Sequence, residues 1–500
     1  MAPKRGASGQ PWALRFPLPL GRREANRLHY DPAMPDFDLI VIGSGPAGEK
    51  GASQAAYFGK RVALIEREAA LGGAAANTGT LPSKTLRETA LALSGLRQRQ
   101  LTGLSVDLRQ GVTARDFLGR ERAVAASERE RVAADLARHG VTTFRGAARF
   151  ASPNTISVSA GDGTNTALAA GVVLIATGSS PHRPESFPWH DPRVFDSDTI
   201  LGIETIPRSM LIAGGGIIGC EYACIFATLG IRVTLVEGHD RLLGFLDQEV
   251  AGLLTYSMEA SGIEILRSEA IASVGTGAPM EVRLRSGRVV PVDALLAATG
   301  RDGNTAGLGL EPIAVMPGPR GHLEVNEHYQ TAVPHIYAAG DVIGFPALAS
   351  TAMEQARVAM VHAFDLKYKT RIAPVLPYGI YTIPECSTAG ETEESAAAKG
   401  IAYVIGKARY ARNPRGQIIG DRDGFLKLLF SLPDLTLIGV HIVGEQASEL
   451  VHTGVLGMLT GATAATFIDM CFNYPTLSDM YKYAAYDALG ARDRLGLGET

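Results

Sequence analysis

The sequence predicts an α/β protein in which one strand–turn–helix–strand unit occurs twice and a C-terminal α+β region follows. Three observations predict this fold. A short apolar run leads directly into a glycine-rich turn at residue 43, and the same pattern recurs at residue 214. Strand-like and helix-like stretches then alternate after residue 378. Apolar runs of this kind, followed by helices, are typical of parallel sheets that are buried on both faces.

Composition limits the possible functions. The chain has 500 residues, 46% of them hydrophobic and 20% charged, which fits a globular protein of about three domains. Its 48 Lys and Arg against 51 Asp and Glu give a net charge of -3, so a basic field for nucleic acid or anionic lipid is missing. There is no run of about 18 apolar residues and no signal peptide with a clear apolar core. We therefore expect a cytoplasmic protein with small ligands and with neither nucleic acid nor membrane as a partner.

The first 33 residues differ from the rest of the chain. They hold six Lys or Arg, only two acidic residues, several prolines and no hydrophobic period. This pattern predicts a disordered N-terminal extension over residues 1–33. A true start at Met34 would explain it, and an organelle-targeting peptide is the alternative.

The four cysteines are Cys220, Cys224, Cys386 and Cys471. They are too few and too scattered for a disulfide framework or a four-thiolate metal site. Cys220 and Cys224 lie one helical turn apart, which suggests a redox or metal pair, but no second ligand pair lies near them. We favour buried structural cysteines and predict no metal site.

The first unit starts with the apolar run Asp38–Ile42, which is expected to be a buried strand. A GxGxxG turn follows, then a helix-like stretch from Glu49 to Phe58 and a second strand over Arg61–Ile65. This order predicts a βαβ unit.

The glycines of this turn and the acid after the second strand have defined physical roles. Gly43 permits a tight turn, Gly45 lets the backbone approach a pyrophosphate, and Gly48 lets helix and strand pack closely. Glu66 lies eighteen residues after Gly48 and can accept hydrogen bonds from ribose hydroxyls. The unit therefore predicts a dinucleotide site.

The second unit repeats this order. The strand Met210–Ala213 leads into a glycine turn, and the next strand, Ile231–Val236, ends on an acid after the same spacing of eighteen residues. Its expected cofactor residues are Gly214, Gly216, Gly219 and Glu237. Two dinucleotide sites in one chain imply two cofactors that face each other, because a lone hydride carrier needs only one.

Further segments carry a resemblance to a known family. They are Leu81–Lys84, Ala176–Gly178, Ala298–Arg301 and Ile336–Asp341. With them the chain, from Asp36 to about Arg492, resembles the flavoproteins with two dinucleotide-binding domains, such as dihydrolipoamide dehydrogenase, glutathione reductase and mercuric reductase. The resemblance implies FAD at the first unit and a nicotinamide dinucleotide at the second.

The resemblance also implies roles for individual residues. Asp341 would contact the ribityl chain of the flavin, Lys84 would lie beside its ring, and Glu221 would pair with Lys84 near the nicotinamide. A buried cation there would stabilise the negative charge that develops on reduction. The alternative is that Lys84 and Glu221 are surface charges. The other expected cofactor contacts are Gly72, Gly73, Gly178 and Gly300.

The chain departs from the disulfide reductases at both of their reactive positions. Ala75 and Thr80 occupy the places of the two redox cysteines, and Tyr474 replaces the acid–base histidine before Pro475. Tyrosine has a reference pKa of about 10 and is a poor base for a thiol. We therefore exclude lipoamide, glutathione and mercuric ion as substrates, and keep Tyr474 as a candidate catalytic residue.

A flavin without a thiol relay is similar to the soluble pyridine nucleotide transhydrogenases. The segments similar to that branch are Asp196–Asp198, Phe245–Glu249, Gly379–Glu385 and Phe472–Thr476. Its members usually keep one cysteine at the position of Ala75, so the chain deviates there. The resemblance implies a ping-pong transfer of hydride between NADPH/NADP and NADH/NAD through FAD.

Glu237 favours NAD(H) over NADP(H), although the resemblance implies that both nucleotides are used. A carboxylate at this place favours the bare 2'-hydroxyl of NAD and repels a 2'-phosphate. His239 or Arg241 nearby could still bind the phosphate, so NAD(H) is expected and NADP(H) is expected with it. The alternative is an NADH-specific FAD-dependent reductase with a quinone, dye or oxygen as acceptor, and a third hypothesis is a non-catalytic flavin-binding redox sensor.

The full prediction is an α/β protein with two Rossmann-like dinucleotide-binding domains and a C-terminal α+β dimerisation domain. Residues 34–180 and 302–370 are expected to build the FAD-binding domain, and residues 181–301 the NAD(P)-binding domain. Residues 378–492 would form the dimerisation domain. In the family this last part makes a homodimer, in which the Tyr474 loop reaches the partner's flavin.

Overall fold

A computed structural model describes residues 35–94 and 111–496 of the chain. The extension expected over residues 1–33 lies outside the described residues. The described residues from Asp36 onward belong to one compact unit.

The strands are numbered in chain order. They are β1 (Phe37–Ile42), β2 (Val62–Glu66), β3 (Thr142–Arg145), β4 (Ala147–Ser152), β5 (Thr155–Ser159), β6 (Asn165–Ile175), β7 (Ser179–Pro181), β8 (Val194–Asp196), β9 (Ser209–Ala213), β10 (Arg232–Val236), β11 (Glu264–Leu266), β12 (Ile271–Val274), β13 (Met280–Leu284), β14 (Val289–Val292), β15 (Ala294–Ala297), β16 (Arg301–Gly303), β17 (Ile336–Ala338), β18 (Tyr378–Ile380), β19 (Cys386–Gly390), β20 (Tyr403–Arg409), β21 (Phe425–Ser431) and β22 (Thr436–Val443).

The α-helices are numbered in the same way. They are α1 (Pro46–Tyr57), α2 (Gly73–Asn77), α3 (Thr80–Leu93), α4 (Ala114–Arg138), α5 (Ile217–Thr228), α6 (Gln248–Ala260), α7 (Ala349–Ala363), α8 (Glu393–Ala398), α9 (Pro414–Ile419), α10 (Ala447–Thr460), α11 (Ala464–Asp469) and α12 (Met480–Arg494).

The first sheet has a parallel part with the strand order β3-β2-β1-β6-β17. The long strand β6 continues beyond it and pairs with β5, which pairs with β4, in antiparallel fashion. Strand β17 comes from far along the chain, so this sheet is completed only after the second sheet has been built. Every residue of β2 is buried, as expected for a strand with helices on both faces.

The second sheet repeats this arrangement. Its parallel strand order is β11-β10-β9-β15-β8. An antiparallel three-stranded sheet, β12-β13-β14, comes between β11 and β15 in the chain, as β4 and β5 come between β3 and β6 in the first unit. The two-stranded pair of β7 and β16 links the segments that enter and leave this part. The sequence repeat is therefore a repeat of whole sheets, and the predicted α/β fold with two Rossmann-like units is confirmed.

The C-terminal part is an antiparallel sheet with the order β18-β19-β22-β21-β20. Helix α12 packs on β20, and α10 packs on β22 and β19. The buried side chains between them form a continuous apolar core that includes Phe430, Phe467 and Tyr481. The predicted α+β character of this part is confirmed.

The predicted elements of the two units differ from the observed ones only at their ends. Helix α1 begins at Pro46, three residues before the predicted start, because proline is well suited to the first turn of a helix. Strand β2 starts one residue later than predicted and includes Glu66. Within the described ranges, no helix has both the length and the hydropathy needed to cross a membrane.

Candidate functional site

A cavity of about 1150 Å³ lies where the two parallel sheets face each other. Its walls include Ile42 at the end of β1, Glu66 at the end of β2, and Ala298 after β15. Ligands of open α/β sheets bind at this place, beyond the carboxyl ends of parallel strands. Ten of the predicted site residues line it: Gly43, Gly45, Glu66, Gly73, Lys84, Gly178, Gly216, Glu221, Gly300 and Asp341.

The two glycine turns have the same internal contacts. A Cβ on Gly48 would lie 1.9 Å from the carbonyl oxygen of Gly43, and a Cβ on Gly219 would lie 1.8 Å from that of Gly214. Both distances are far below van der Waals contact, so only glycine lets each helix pack this closely on its turn. Gly43 lines the cavity, and Gly48, Gly214 and Gly219 lie behind its wall.

The middle glycines of the two turns face open space. A Cβ on Gly45 would meet nothing closer than 3.8 Å, and a Cβ on Gly216 would meet nothing within 4 Å. Each of these residues is the N-cap of its helix and, as glycine, has no side chain that could cap it. In α1 the first residue, Pro46, has no N–H, so the N–H groups that follow it, and the first N–H groups of α5, are available to an anion such as a pyrophosphate.

Glu66 is held in a fixed orientation. Its Oε2 accepts from the backbone N–H of Ser44 at 2.9 Å and from the Ser44 hydroxyl at 2.6 Å, and its Oε1 accepts from the N–H of Glu68 at 2.9 Å. The N–H of Gly72 donates to the Ser44 hydroxyl at 3.0 Å. Gly72 thus braces the carboxylate, although it does not line the cavity itself.

Glu237 occupies the matching place in the second unit, after β10, and is not part of the cavity lining. Its Oε2 accepts from the N–H of Gly215 at 2.5 Å, and its Oε1 accepts from the N–H of His239 at 2.8 Å. Burial acts to raise the pKa of Glu237, but the hydrogen bonds from His239 and Gly215 outweigh it, and the pKa is lowered. The carboxylate is therefore ionised over the physiological range.

Lys84 on α3 and Glu221 on α5 meet in the cavity. The Lys84 Nζ donates to Glu221 Oε2 at 2.7 Å and to Oε1 at 2.9 Å. The backbone N–H of Tyr381 also donates to Oε1, at 2.9 Å. The Glu221 side chain is only 4% exposed and that of Lys84 27%, so the hypothesis that both are surface charges is wrong.

Tyr381 is a cavity residue to which the sequence analysis gave no role. Its ring lies below the Lys84 ammonium, with 4.9 Å between Nζ and the ring centroid. Such a cation–π contact restrains the ammonium in addition to its carboxylate. The only available signal was that Tyr381 lies in the segment Gly379–Glu385, which carried the resemblance.

The Ser179 hydroxyl is a second polar group at the cavity to which the sequence analysis gave no role. The Ser179 hydroxyl donates to Asp341 Oδ2 at 2.8 Å and accepts from Arg301 Nε at 2.8 Å. The Arg301 guanidinium also approaches Asp198 Oδ1 at 3.5 Å. Burial raises the pKa of Asp198, and the charge of Arg301 opposes this rise only in part. Asp341 is thus fixed by a network that extends to the strand ends of the second sheet.

The two positions of the missing dithiol, Ala75 and Thr80, both line the cavity. None of the chain's four cysteines does. Cys220, Cys224 and Cys386 are buried, as favoured for the first two, and Cys471 is exposed. Burial raises the pKa of the Cys224 thiol to about 12, which makes it unreactive.

Tyr474 is not brought to the cavity of its own chain. It lies between α11 and α12 and is 77% exposed. Lys84 and Glu221 therefore form the polar centre of this cavity without it.

Some buried polar atoms at the cavity make no hydrogen bond. Among the described residues, the buried side-chain oxygens without a partner are Asn77 Oδ1, Thr177 Oγ1 and the Tyr222 hydroxyl. All three residues line the cavity. Because an unpaired buried polar atom is costly, these atoms are suited to polar groups of a bound ligand.

The family models explain this architecture. Residues 37–356 match the model of the pyridine nucleotide-disulphide oxidoreductases, and residues 376–485 match the dimerisation domain of the same family. The chain belongs to the pyridine nucleotide-disulphide oxidoreductase family. This family is FAD-dependent and uses NAD(P)H. The glycine turns, the carboxylates behind them and the unpaired polar atoms fit both dinucleotides.

Relatives within this family are similar over nearly the whole chain. A soluble pyridine nucleotide transhydrogenase of Mycobacterium bovis is 43% identical over 458 residues, which cover 91% of this chain and 98% of that protein. One from Chromohalobacter salexigens is 40% identical over 461 residues, covering 91% and 99%.

Solved structures of the family have the same fold. LpdA from Mycobacterium tuberculosis superimposes with a TM-score of 0.83 at 29% identity, covering 90% of this chain and 99% of that one. The HOCl-induced flavoprotein disulfide reductase RclA from Escherichia coli superimposes with a TM-score of 0.81 at 25% identity, over the same shares.

Proposed function

We propose that the protein is a soluble flavoprotein transhydrogenase that moves hydride between NADPH/NADP and NADH/NAD. The observation that carries this proposal is one cavity with two dinucleotide units, a Lys84–Glu221 pair and no thiol in its lining. The relatives named soluble pyridine nucleotide transhydrogenases support it, since they match over 91% of the chain.

The first unit would hold FAD. We assign its phosphates to the turn around Gly45 and the N-terminus of α1, its ribose to Glu66, and its ribityl chain to Asp341. Residues 34–180 and 302–370 would form this domain, which agrees with the completion of the first sheet by β17.

The second unit, residues 181–301, would hold the nicotinamide nucleotide. The turn around Gly216 and the N-terminus of α5 would bind its pyrophosphate, and Glu237 its ribose. Gly178 and Gly300, which have φ of +67° and +106°, line the cavity that the two units share.

When bound, FAD would accept a hydride from a reduced nicotinamide and return one to an oxidised nicotinamide. The residues of the chain would orient the two ligands and stabilise the charge that develops during the transfer. Lys84, restrained by Glu221 and Tyr381, would place its positive charge where negative charge develops. Ile217 and Ile218 in the wall would exclude water from that place. Because one nicotinamide unit serves both nucleotides, they would use it in turn, as in a ping-pong mechanism.

We also propose that the protein is a cytoplasmic homodimer. The match of residues 376–485 to a dimerisation domain supports a dimer, and residues 378–492 would form it. Since Tyr474 is exposed and away from its own cavity, it would act, if at all, at the cavity of the partner subunit.

The second candidate is an NADH-specific reductase that uses a quinone, dye or oxygen as acceptor. One observation favours it: the Glu237 carboxylate is ionised and fixed by Gly215 and His239, where it would oppose a 2'-phosphate. In this case NADPH would bind too weakly to take part.

Stopped-flow spectroscopy separates the two candidates. The purified holoenzyme is reduced with NADH or with NADPH, and the flavin absorbance is followed. The reduced enzyme is then mixed with the thionicotinamide analogue of the other nucleotide. Transhydrogenation requires that both nucleotides bleach the flavin and that the analogue restores its colour. Bleaching by NADH alone would reject it in favour of the second candidate.

A further inference from the structure

The acid of the second unit has a partner that the acid of the first unit lacks. The His239 imidazole Nδ1 lies 2.5 Å from Glu237 Oε1. The His239 side chain is 88% exposed, whereas that of Glu237 is 12% exposed. A titratable group therefore stands between this carboxylate and solvent.

The two units are otherwise alike at this place. Each carboxylate accepts from the backbone N–H after the first glycine and from the N–H two residues beyond the acid. In the first unit the additional donor is the Ser44 hydroxyl, at 2.6 Å. In the second unit Gly215 stands at the position of Ser44, and the additional donor is His239. A neutral donor has thus been replaced by one that can carry charge.

The geometry determines which imidazole nitrogen donates to Glu237. A carboxylate only accepts, so Nδ1 of His239 must carry a hydrogen and donate it to Glu237. Its Nε2 makes no hydrogen bond to the part of the chain that the structure describes. When Nε2 is unprotonated it presents a lone pair to solvent, and when it is protonated the imidazolium neutralises Glu237 and has a free N–H donor.

Arg241 is not free to take this role. Its guanidinium is bound to Glu394 Oε1 on α8 at 3.0 Å and to the carbonyl oxygen of Gly244 at 2.6 Å. The basic group left beside Glu237 in its loop is His239.

We propose that the Glu237–His239 pair lets one ribose site accept both nucleotides, with His239 protonated for NADP(H) and neutral for NAD(H). This inference rests on the proposed transhydrogenase function and extends it to nucleotide selection. In the protonated pair, Nε2 donates to the 2'-phosphate. In the neutral pair, the charge of Glu237 is uncompensated, and its carboxylate accepts a hydrogen bond from the 2'-hydroxyl.

The other charged groups near the pair do not change sign over the relevant range. Ordinary histidine changes charge between about pH 5 and about pH 8, where carboxylates stay ionised and arginine stays protonated. The segment 267–269 packs on this loop through the bonds from Ser268 N–H to the His239 carbonyl oxygen and from Glu269 N–H to that of Glu237. The charged groups on these segments and on α8 are Asp240, Arg241, Arg267, Glu269, Glu393 and Glu394.

The test uses the holoenzyme and three variants. His239→Gln removes the imidazole, and His239→Lys keeps a positive charge at every pH of the range. His190→Gln changes another exposed histidine of the same segment 181–301 and serves as the control. For each protein, the concentrations of NADPH and of NADH that half-saturate flavin reduction are measured from about pH 6 to about pH 8.

In the wild type and the control, the preference for NADPH over NADH is expected to rise as pH falls. At the acidic end of the range, His239→Gln should raise the half-saturating concentration of NADPH about fivefold, as expected for the loss of one exposed charge contact. The half-saturating concentration of NADH should change less than about twofold. His239→Lys should keep the NADPH affinity and retain only the pH dependence that comes from the 2'-phosphate itself. The comparison of variants also separates His239 from the titration of the 2'-phosphate itself, which all four proteins share.

The possible failures are distinct. If NADPH does not reduce the flavin of any variant at any pH, the proposed transhydrogenase function fails. If NADPH reduces the flavin but His239→Gln has the same pH-dependent preference as the wild type, the function stands and the role of His239 is rejected.

Discussion

Lys427 and Lys84 are both paired with carboxylates, and their surroundings give them different roles. Lys427 on β21 is fully buried, and its Nζ contacts Asp247 and Glu249 of the second unit and Glu393 of α8. Burial alone would lower the pKa of Lys427, but these carboxylates raise it, so the charge is permanent and internal. Lys84 faces a cavity instead. The same kind of ion pair therefore stabilises the fold at Lys427 and is available to a ligand at Lys84.

Replacing Glu221 by Gln should therefore affect flavin reduction more than folding. The amide keeps the size of the side chain but no longer fixes the Lys84 ammonium by charge. We expect the limiting rate of flavin reduction by NADH to fall about 10- to 100-fold, because electrostatic positioning in a cavity of this kind contributes on that scale. Stopped-flow reduction measures this rate, and the FAD content reports on folding.

The control is Glu264→Gln, which removes a surface ion pair with Arg288 far from the cavity lining. It should leave the reduction rate unchanged, since exposed pairs contribute little. Equal rates in wild type and Glu221→Gln would show that the Lys84–Glu221 pair has no part in hydride transfer.

In each glycine turn, a single residue determines how closely a ligand can approach the N-terminus of the following helix. Gly216 has φ -75° and ψ -173°, a conformation that alanine adopts without strain. A Cβ there meets no atom of the protein within 4 Å. An added methyl group would thus be opposed only by a ligand that approaches the N-terminus of α5.

Gly216→Ala should therefore fold normally and bind the nicotinamide nucleotide poorly. We expect an unchanged melting midpoint, normal FAD content and an increase of at least about tenfold in the KM for NADH, because the methyl group would occupy the space of the pyrophosphate. Gly252→Ala on α6 is the matched control, since its Cβ also meets nothing within 4 Å. An unaltered KM in Gly216→Ala would mean that the pyrophosphate does not bind at this turn.

Local patterns in the sequence were enough to predict the elements of both units. Apolar runs, glycine turns and terminal acids act over a few residues, so they predicted β1, α1, β9 and α5 to within a few residues. The contacts of Lys84 with Glu221 join residues 137 positions apart and came from a resemblance rather than from spacing. The contacts of Tyr381 and Ser179, and the choice between His239 and Arg241, depend on side-chain orientation, which no periodicity contains.

At the scale of the whole molecule, the C-terminal part leaves apolar surface exposed. Leu456 and Leu459 on α10 and Tyr483 and Tyr486 on α12 are exposed large hydrophobic residues within or next to the range that matches the dimerisation domain. Exposed large apolar side chains are expected where a partner covers them. A homodimer would bury this surface and bring the loop of Tyr474 towards a second cavity.

Leu456→Glu should weaken this dimer, because a carboxylate placed in an apolar interface loses hydration without gaining a partner. Light scattering should give twice 52.8 kDa for the wild type and a concentration-dependent shift towards 52.8 kDa for the variant. Met316→Glu is the control, since Met316 is exposed to the same extent, 65% against 63%, but lies outside residues 376–485. If both variants stay dimeric, the exposed face of α10 is not the interface; if the wild type is monomeric, the proposed dimer is wrong, and Tyr474 cannot reach a second cavity.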